Sequence, residues 1–136
     1  VIMPAEVTVL ALAGLLQTAQ FAAFSIMAQR QIGPKAAMSP RDNMPTQLKG
    51  MAGRMQRAFN NHFEGLIMFT LAVVVVTLGG AASWFTALCA WIYLLARIAY
   101  VPAYLLGWVP GRSIIWMIGF AATVLMIVAG LVSSSV

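Results

Sequence analysis

Arg57, Asn61 and Glu64 stand at i, i+4 and i+7, a spacing that puts all three on one face of a helix. Arg97, Tyr100 and Tyr104 form a second stripe at i, i+3 and i+7. Arg112 follows in a short turn and Arg30 closes the first apolar stretch, so several guanidinium groups are expected to converge at one end of the molecule. Guanidinium forks clamp carboxylates, a carboxylate receives an ammonium, and an arginine or hydroxyl stabilises a thiolate. Such a set suits a small zwitterionic or anionic peptide. The competing explanation is structural, with Arg57 snorkelling to the interface and the tyrosines anchoring in an aromatic belt. Ionisable residues inside a membrane favour the functional reading.

The elements that must carry these stripes are membrane spans. The chain has 136 residues, 62% hydrophobic and 8% charged, with a mean hydropathy of +0.91, against roughly 45–50% apolar and about 25% charged in a soluble domain. A water-soluble globule is excluded. Four apolar stretches, about 7–28, 57–79, 82–106 and 113–132, each approach the length of a helical crossing. None alternates with the period of a barrel strand, so the expected fold is all-α, an integral membrane four-helix bundle forming a single domain over residues 1–136. Because the segment from Met51 to His62 lacks proline, helix two is expected to begin in the interface and project beyond the bilayer. The opening residues carry no basic n-region, so the first apolar run reads as a retained span.

The charge balance is +5, but so few basic residues in an apolar chain make no phosphate-tracking face, which argues against nucleic acid. Their placement sets topology. The long polar segment, residues 29–56, carries Arg30, Lys35, Arg41, Lys49 and Arg54 against Asp42. It is expected on the cytoplasmic side with the Arg112 turn, leaving both termini outside. Two prolines with Asp42 and Asn43 give residues 39–45 turn chemistry. Cys89 stands alone and His62 has no partner at ligand spacing, so neither dithiol chemistry nor a metal site is expected.

Arg97 sits about nine residues, or ~13 Å, from the cytoplasmic end, too deep for easy snorkelling. Glu64 is the acid expected to pair with it, since Glu6 precedes the first span. Pro102 is expected to kink helix three, and Gln17 and Gln20 to bond across helices.

The run from Arg54 to Glu64, with its Arg57-Ala58-x-x-Asn61-x-x-Glu64 signature, followed by Arg97-x-x-Tyr100-x-x-x-Tyr104, resembles the MAPEG family, the membrane-associated proteins in eicosanoid and glutathione metabolism. The resemblance is concentrated in residues 54–112, and the loop text looks most like bacterial members. It implies a homotrimer in a bacterial inner membrane, with glutathione bound between subunits near the cytoplasmic side. Carried over residue by residue, Arg57, Asn61, Glu64, Arg97, Tyr100 and Tyr104 would hold glutathione, and Arg112 would activate its thiol, with Arg30 as the alternative. Departures stand at Phe59, Asn60 and Trp116, where other members carry a polar residue, an arginine and a tyrosine.

The reading is thus a glutathione-dependent transferase or peroxidase acting on a hydrophobic electrophile or lipid hydroperoxide that enters from the bilayer. A non-catalytic lipid- or peptide-binding protein of the same fold is the first alternative, because the family contains such a member. A small multidrug exporter is the second, although such exporters need a carboxylate in the first span.

Overall fold

In hydrocarbon the backbone must satisfy its own hydrogen bonds, and the described residues do so in four helices. They are α1 (Ala5–Ile32), α2 (Gly50–Leu78), α3 (Trp84–Leu105) and α4 (Val109–Ser134). The structure, a computed structural model, describes residues 3–33 and 50–134. Lys35, Arg41, Asp42, Lys49 and the expected turn over residues 39–45 lie outside the described residues. Each of the four helices is long and apolar enough to cross a membrane.

Two tight turns follow from glycine. Gly80 takes φ +67° and lets Ala81 N–H reach back to Val76 O at 2.9 Å. Gly107 at φ +73° does the same for Trp108 N–H and Ala103 O at 3.0 Å. Both are left-handed helix ends that absorb orphan carbonyls, and only glycine adopts them without strain. Ser83 then caps α3 in a reciprocal box with Thr86. At the next corner α4 starts at Val109 and accommodates Pro110 in its first turn, where a missing N–H is harmless. Arg112 therefore lies inside that turn, its N–H bonded to Trp108 O at 2.8 Å.

Helices α2 and α3 form the central pair, with α1 and α4 on separate flanks that do not meet. Small residues permit the approach. Ala13, Ala72, Ala90 and Ala122 are buried in the main core with Val9, Phe69, Tyr93 and Met126. Phe69 and Tyr93 stack face to face at 4.0 Å with an interplanar angle of 1°. Gly130 marks a close approach of α4 to α2, since a Cβ there would lie 2.7 Å from Val75 Cγ1. Gly130→Ala is accordingly expected to lower stability by about 1–3 kcal/mol, seen as a lower unfolding midpoint in detergent. The outer surfaces of the helices are apolar, with Leu15, Leu78, Leu95 and Leu131 all largely exposed. They are dressed for lipid.

Two expectations about acids are corrected. Glu6 is not a residue preceding the first helix: it is the second residue of α1 and is buried, with Thr86 Oγ1 donating to its carboxylate. Starting the helix at Ala5 turns Glu6 inward onto the α3 cap. Thr86→Val keeps the volume but removes that donor, and is expected to cost about 1–3 kcal/mol, measured by chemical denaturation in detergent. The second correction is the expected Arg97–Glu64 pair. Arg97 points inward and is 4% exposed, whereas Glu64 faces out of the protomer, and no ion pair joins them among the described residues.

Gln17 and Gln20 do bond across helices. His62, fully buried on α2, places Nδ1 2.8 Å from Gln20 Nε2 and 2.7 Å from Gln17 Oε1. The ring nitrogen serves one of them at a time, accepting from Gln20 or donating to Gln17. A second, smaller core at the loop end joins Phe24 and Ala28 to Ala52 and Met55. Phe59 belongs here, stacked on Phe24 at 5.9 Å and tilted against Phe21 at 5.8 Å. Its apolar character is explained by packing on α1. Across Pro102, α3 continues without interruption to Leu105.

Candidate functional site

The second stripe builds a ladder along α3 in which two tyrosines lie between arginines. The Arg97 guanidinium lies over the Tyr100 ring at 4.5 Å, and the Tyr100 and Tyr104 rings meet at 5.7 Å. Arg112 crosses from α4 to cover Tyr104 at 4.6 Å. From α2, Arg57 Nε donates to the Tyr104 hydroxyl at 3.0 Å, its guanidinium 5.9 Å from the ring. Cation–π contacts of this kind orient each guanidinium and stabilise it modestly, by about 0.5–2 kcal/mol depending on desolvation. Three helices thus deliver Arg57, Arg97, Tyr100, Tyr104 and Arg112 to one wall.

The backbone that carries Arg112 is itself tied down. Arg54 Nη1 donates to Leu105 O at 2.9 Å, capping the C-terminal end of α3 with a cation. Its guanidinium also backs Gly107, where a Cβ would lie 3.7 Å from Nη1. Gly111, immediately before Arg112, lies flat under Trp108, with the indole only 2.3 Å from where a Cβ would be. The turn leaves no room for a side chain there.

Asn61 completes the wall. It lines two adjoining spaces in the cleft between α2 and α4. One, of about 260 Å³, opens outward past Tyr100, Arg112, Ser113 and Trp116. The other, of about 200 Å³, runs on past Glu64 to Tyr93, Trp116 and Phe120. Glu64 is therefore on the same cleft as Arg112, though exposed on the protomer surface.

Arg30 is not brought to this cleft. It is exposed at the end of α1, beside a separate depression with Met27, Met51 and Ala52. Among the expected residues it alone stands apart within the protomer.

Several polar atoms here have no partner: Asn61 Oδ1, Arg97 Nε and Nη2, and the Tyr93 hydroxyl are all buried without a hydrogen bond. Unsatisfied groups at such depth cost about 1–3 kcal/mol each, so their concentration beside one cleft marks a place for a polar ligand. Sequence reasoning missed Tyr93. It stands four residues before Arg97 and so continues the stripe by one turn, a signal hidden in an otherwise apolar run. Gly65 and Phe120 gave no signal of their own, because a glycine or an aromatic residue in a span is ordinary.

No described group of three or more His, Cys, Asp or Glu residues is placed to hold a metal ion. No curated protein matches the chain. The MAPEG family model matches residues 7–132, nearly the whole length. Four bilayer-length apolar helices and a match of that extent lead to one conclusion: this integral membrane protein belongs to the MAPEG family.

Proposed function

We propose that the protein is a membrane-bound, glutathione-dependent transferase or peroxidase acting on a hydrophobic electrophile or a lipid hydroperoxide. Members of its family use glutathione. The observation that carries the reading is the charge and direction of the cleft. Glu64 and Arg112 line it, Arg97 and Arg57 stand against Tyr100 and Tyr104 beside it, and the four together leave two positive charges. Glutathione brings two carboxylates and one ammonium, and losing its thiol proton makes its charge minus two. The site is complementary to the thiolate form.

In this reading Arg57 and Arg97 receive the carboxylates, Glu64 the ammonium, and Asn61 and the two tyrosines the peptide groups. Arg112 lies at the head of α4, where its fixed charge and the positive end of the helix dipole favour a thiolate. The acceptor reaches the cleft laterally, because the surface of α4 beside it, from Ile114 and Met117 to Ala121, is apolar.

The homotrimer is what the resemblance implies, and the exposure of Glu64 supports a covering neighbour. Glu64 is exposed near the middle of a bilayer-length helix, and a carboxylate is not left facing lipid. A neighbouring protomer covers it, and the same neighbour can bring its Arg30 to the cleft. The positive-inside rule supports a cytoplasmic long basic loop, and the resemblance to bacterial members supports an inner-membrane location.

The test is turnover in proteoliposomes: glutathione consumption with a panel of hydrophobic electrophiles and hydroperoxides. Turnover of either class supports the proposal. Saturable glutathione or lipid binding with no turnover would establish the non-catalytic alternative instead. The exporter reading gains little from the structure, since the buried carboxylate of α1, Glu6, is engaged by Thr86 at one end of the bundle.

A further inference from the structure

The inner space of the cleft has its own chemistry. Its walls are mainly apolar, formed by Met68 and by Trp116 stacked on Phe120 at 5.1 Å and 8°, with Thr123 and the glutathione-facing Asn61 and Glu64 as the polar residues that line it. At its base stands Tyr93, 2% exposed, with a hydroxyl that has no partner. The ring is pinned by its parallel stack on Phe69, so the hydroxyl cannot swing elsewhere to find one. Gly65 keeps the approach open: a Cβ at that position would sit 3.7 Å from the Tyr93 hydroxyl and 3.9 Å from Arg97 Nη1. An absent side chain thus leaves space beside a phenolic donor and a guanidinium.

Size decides what can enter. At about 200 Å³ the recess is smaller than the ~300 Å³ at which small-molecule sites begin, so it takes one end of a molecule. That end must accept a hydrogen bond, because lipid tails offer Tyr93 nothing and an apolar group would leave its hydroxyl unsatisfied. It must also carry no negative charge, because Glu64 lines the same recess. Asn61 and Trp116 line both this recess and the outer space containing Arg112. An occupant of one therefore adjoins an occupant of the other.

We propose that the recess seats the oxygen of the second substrate, an otherwise apolar molecule bearing a carbonyl or hydroperoxide group, with the Tyr93 hydroxyl as its hydrogen-bond donor. This assignment of substrate class rests on the glutathione reading above. Tyr93 orients the oxygen while the rest of the molecule extends along the apolar cleft toward lipid.

The probe is the conjugated ketone 4-phenylbut-3-en-2-one, whose carbonyl stretch moves to lower frequency on accepting a hydrogen bond. Bound to the detergent-solubilised protein without glutathione, it is expected to show a hydrogen-bonded carbonyl band that disappears in Tyr93→Phe. That variant keeps the ring stack and loses only the donor. With glutathione present, kcat/KM for the ketone is expected to fall about tenfold in Tyr93→Phe, the loss typical of one hydrogen bond. The value for benzyl chloride, which has no oxygen, should not change. The absence of the shifted band in the wild-type protein, or its survival in Tyr93→Phe, would overturn the proposal. An equal fall with both acceptors would also overturn it, by showing a structural role. A Tyr93-dependent band from a protein that turns nothing over would keep the recess and remove the glutathione reading, so the two failures are distinct.

Discussion

Arg112→Ala is expected to lower kcat by about a hundredfold or more, the range seen when one group stabilising a developing anion is removed. Glutathione affinity should fall less, by about tenfold, because one of several charge-assisted contacts is lost while the others remain. The asymmetry comes from position. Arg112 stands in the first turn of α4 and is held over Tyr104 at 4.6 Å, on the outer space of the cleft that also contains Tyr100 and Ser113. It adjoins the site without being its main anchor. Arg112→Lys should recover part of the rate by restoring charge without the planar fork. Single-turnover kinetics separates the two effects, and an unchanged rate would move thiolate stabilisation to Arg30 of a neighbouring protomer.

Glu64→Ala and Arg57→Ala are expected to weaken glutathione binding by about thirtyfold or more each, since truncating one partner of a desolvated charge pair costs about 2–5 kcal/mol. For Glu64 the loss leaves the ligand ammonium without a counter-charge. For Arg57 it also frees Tyr104, whose hydroxyl now accepts from Arg57 Nε at 3.0 Å. Glu64→Gln should be nearly as damaging as Glu64→Ala, because a neutral amide keeps the shape and loses the charge. Calorimetry on detergent-solubilised protein reads both constants, and affinity within a factor of two of wild type would remove the α2 stripe from the site.

The helices were plain in the sequence because the bilayer imposes length and apolarity directly, and the two tight turns were marked by Gly79-Gly80 and Gly107. The stripes were legible for a related reason, since polar residues stand out against an apolar background and helical spacing fixes their common face. Depth and direction were not. Arg97 and Glu64 could be placed at similar levels, yet only packing shows that one faces the protomer interior and the other its surface. Glu6 illustrates the same limit, because whether a terminal acid lies in or before a helix depends on where the first turn closes. Phe59, read as a departure from the family pattern, proves to be a packing residue against Phe21 and Phe24. Tyr93 continues the stripe one turn before Arg97, but that its hydroxyl lacks a partner is a property of three-dimensional surroundings that spacing does not encode.

The most direct test of glutathione activation is an ultraviolet difference titration of the detergent-solubilised protein with glutathione near neutral pH. A saturable thiolate band that is lost in Arg112→Ala while calorimetric binding persists is the result expected. Saturable binding with no thiolate band at any concentration would contradict it.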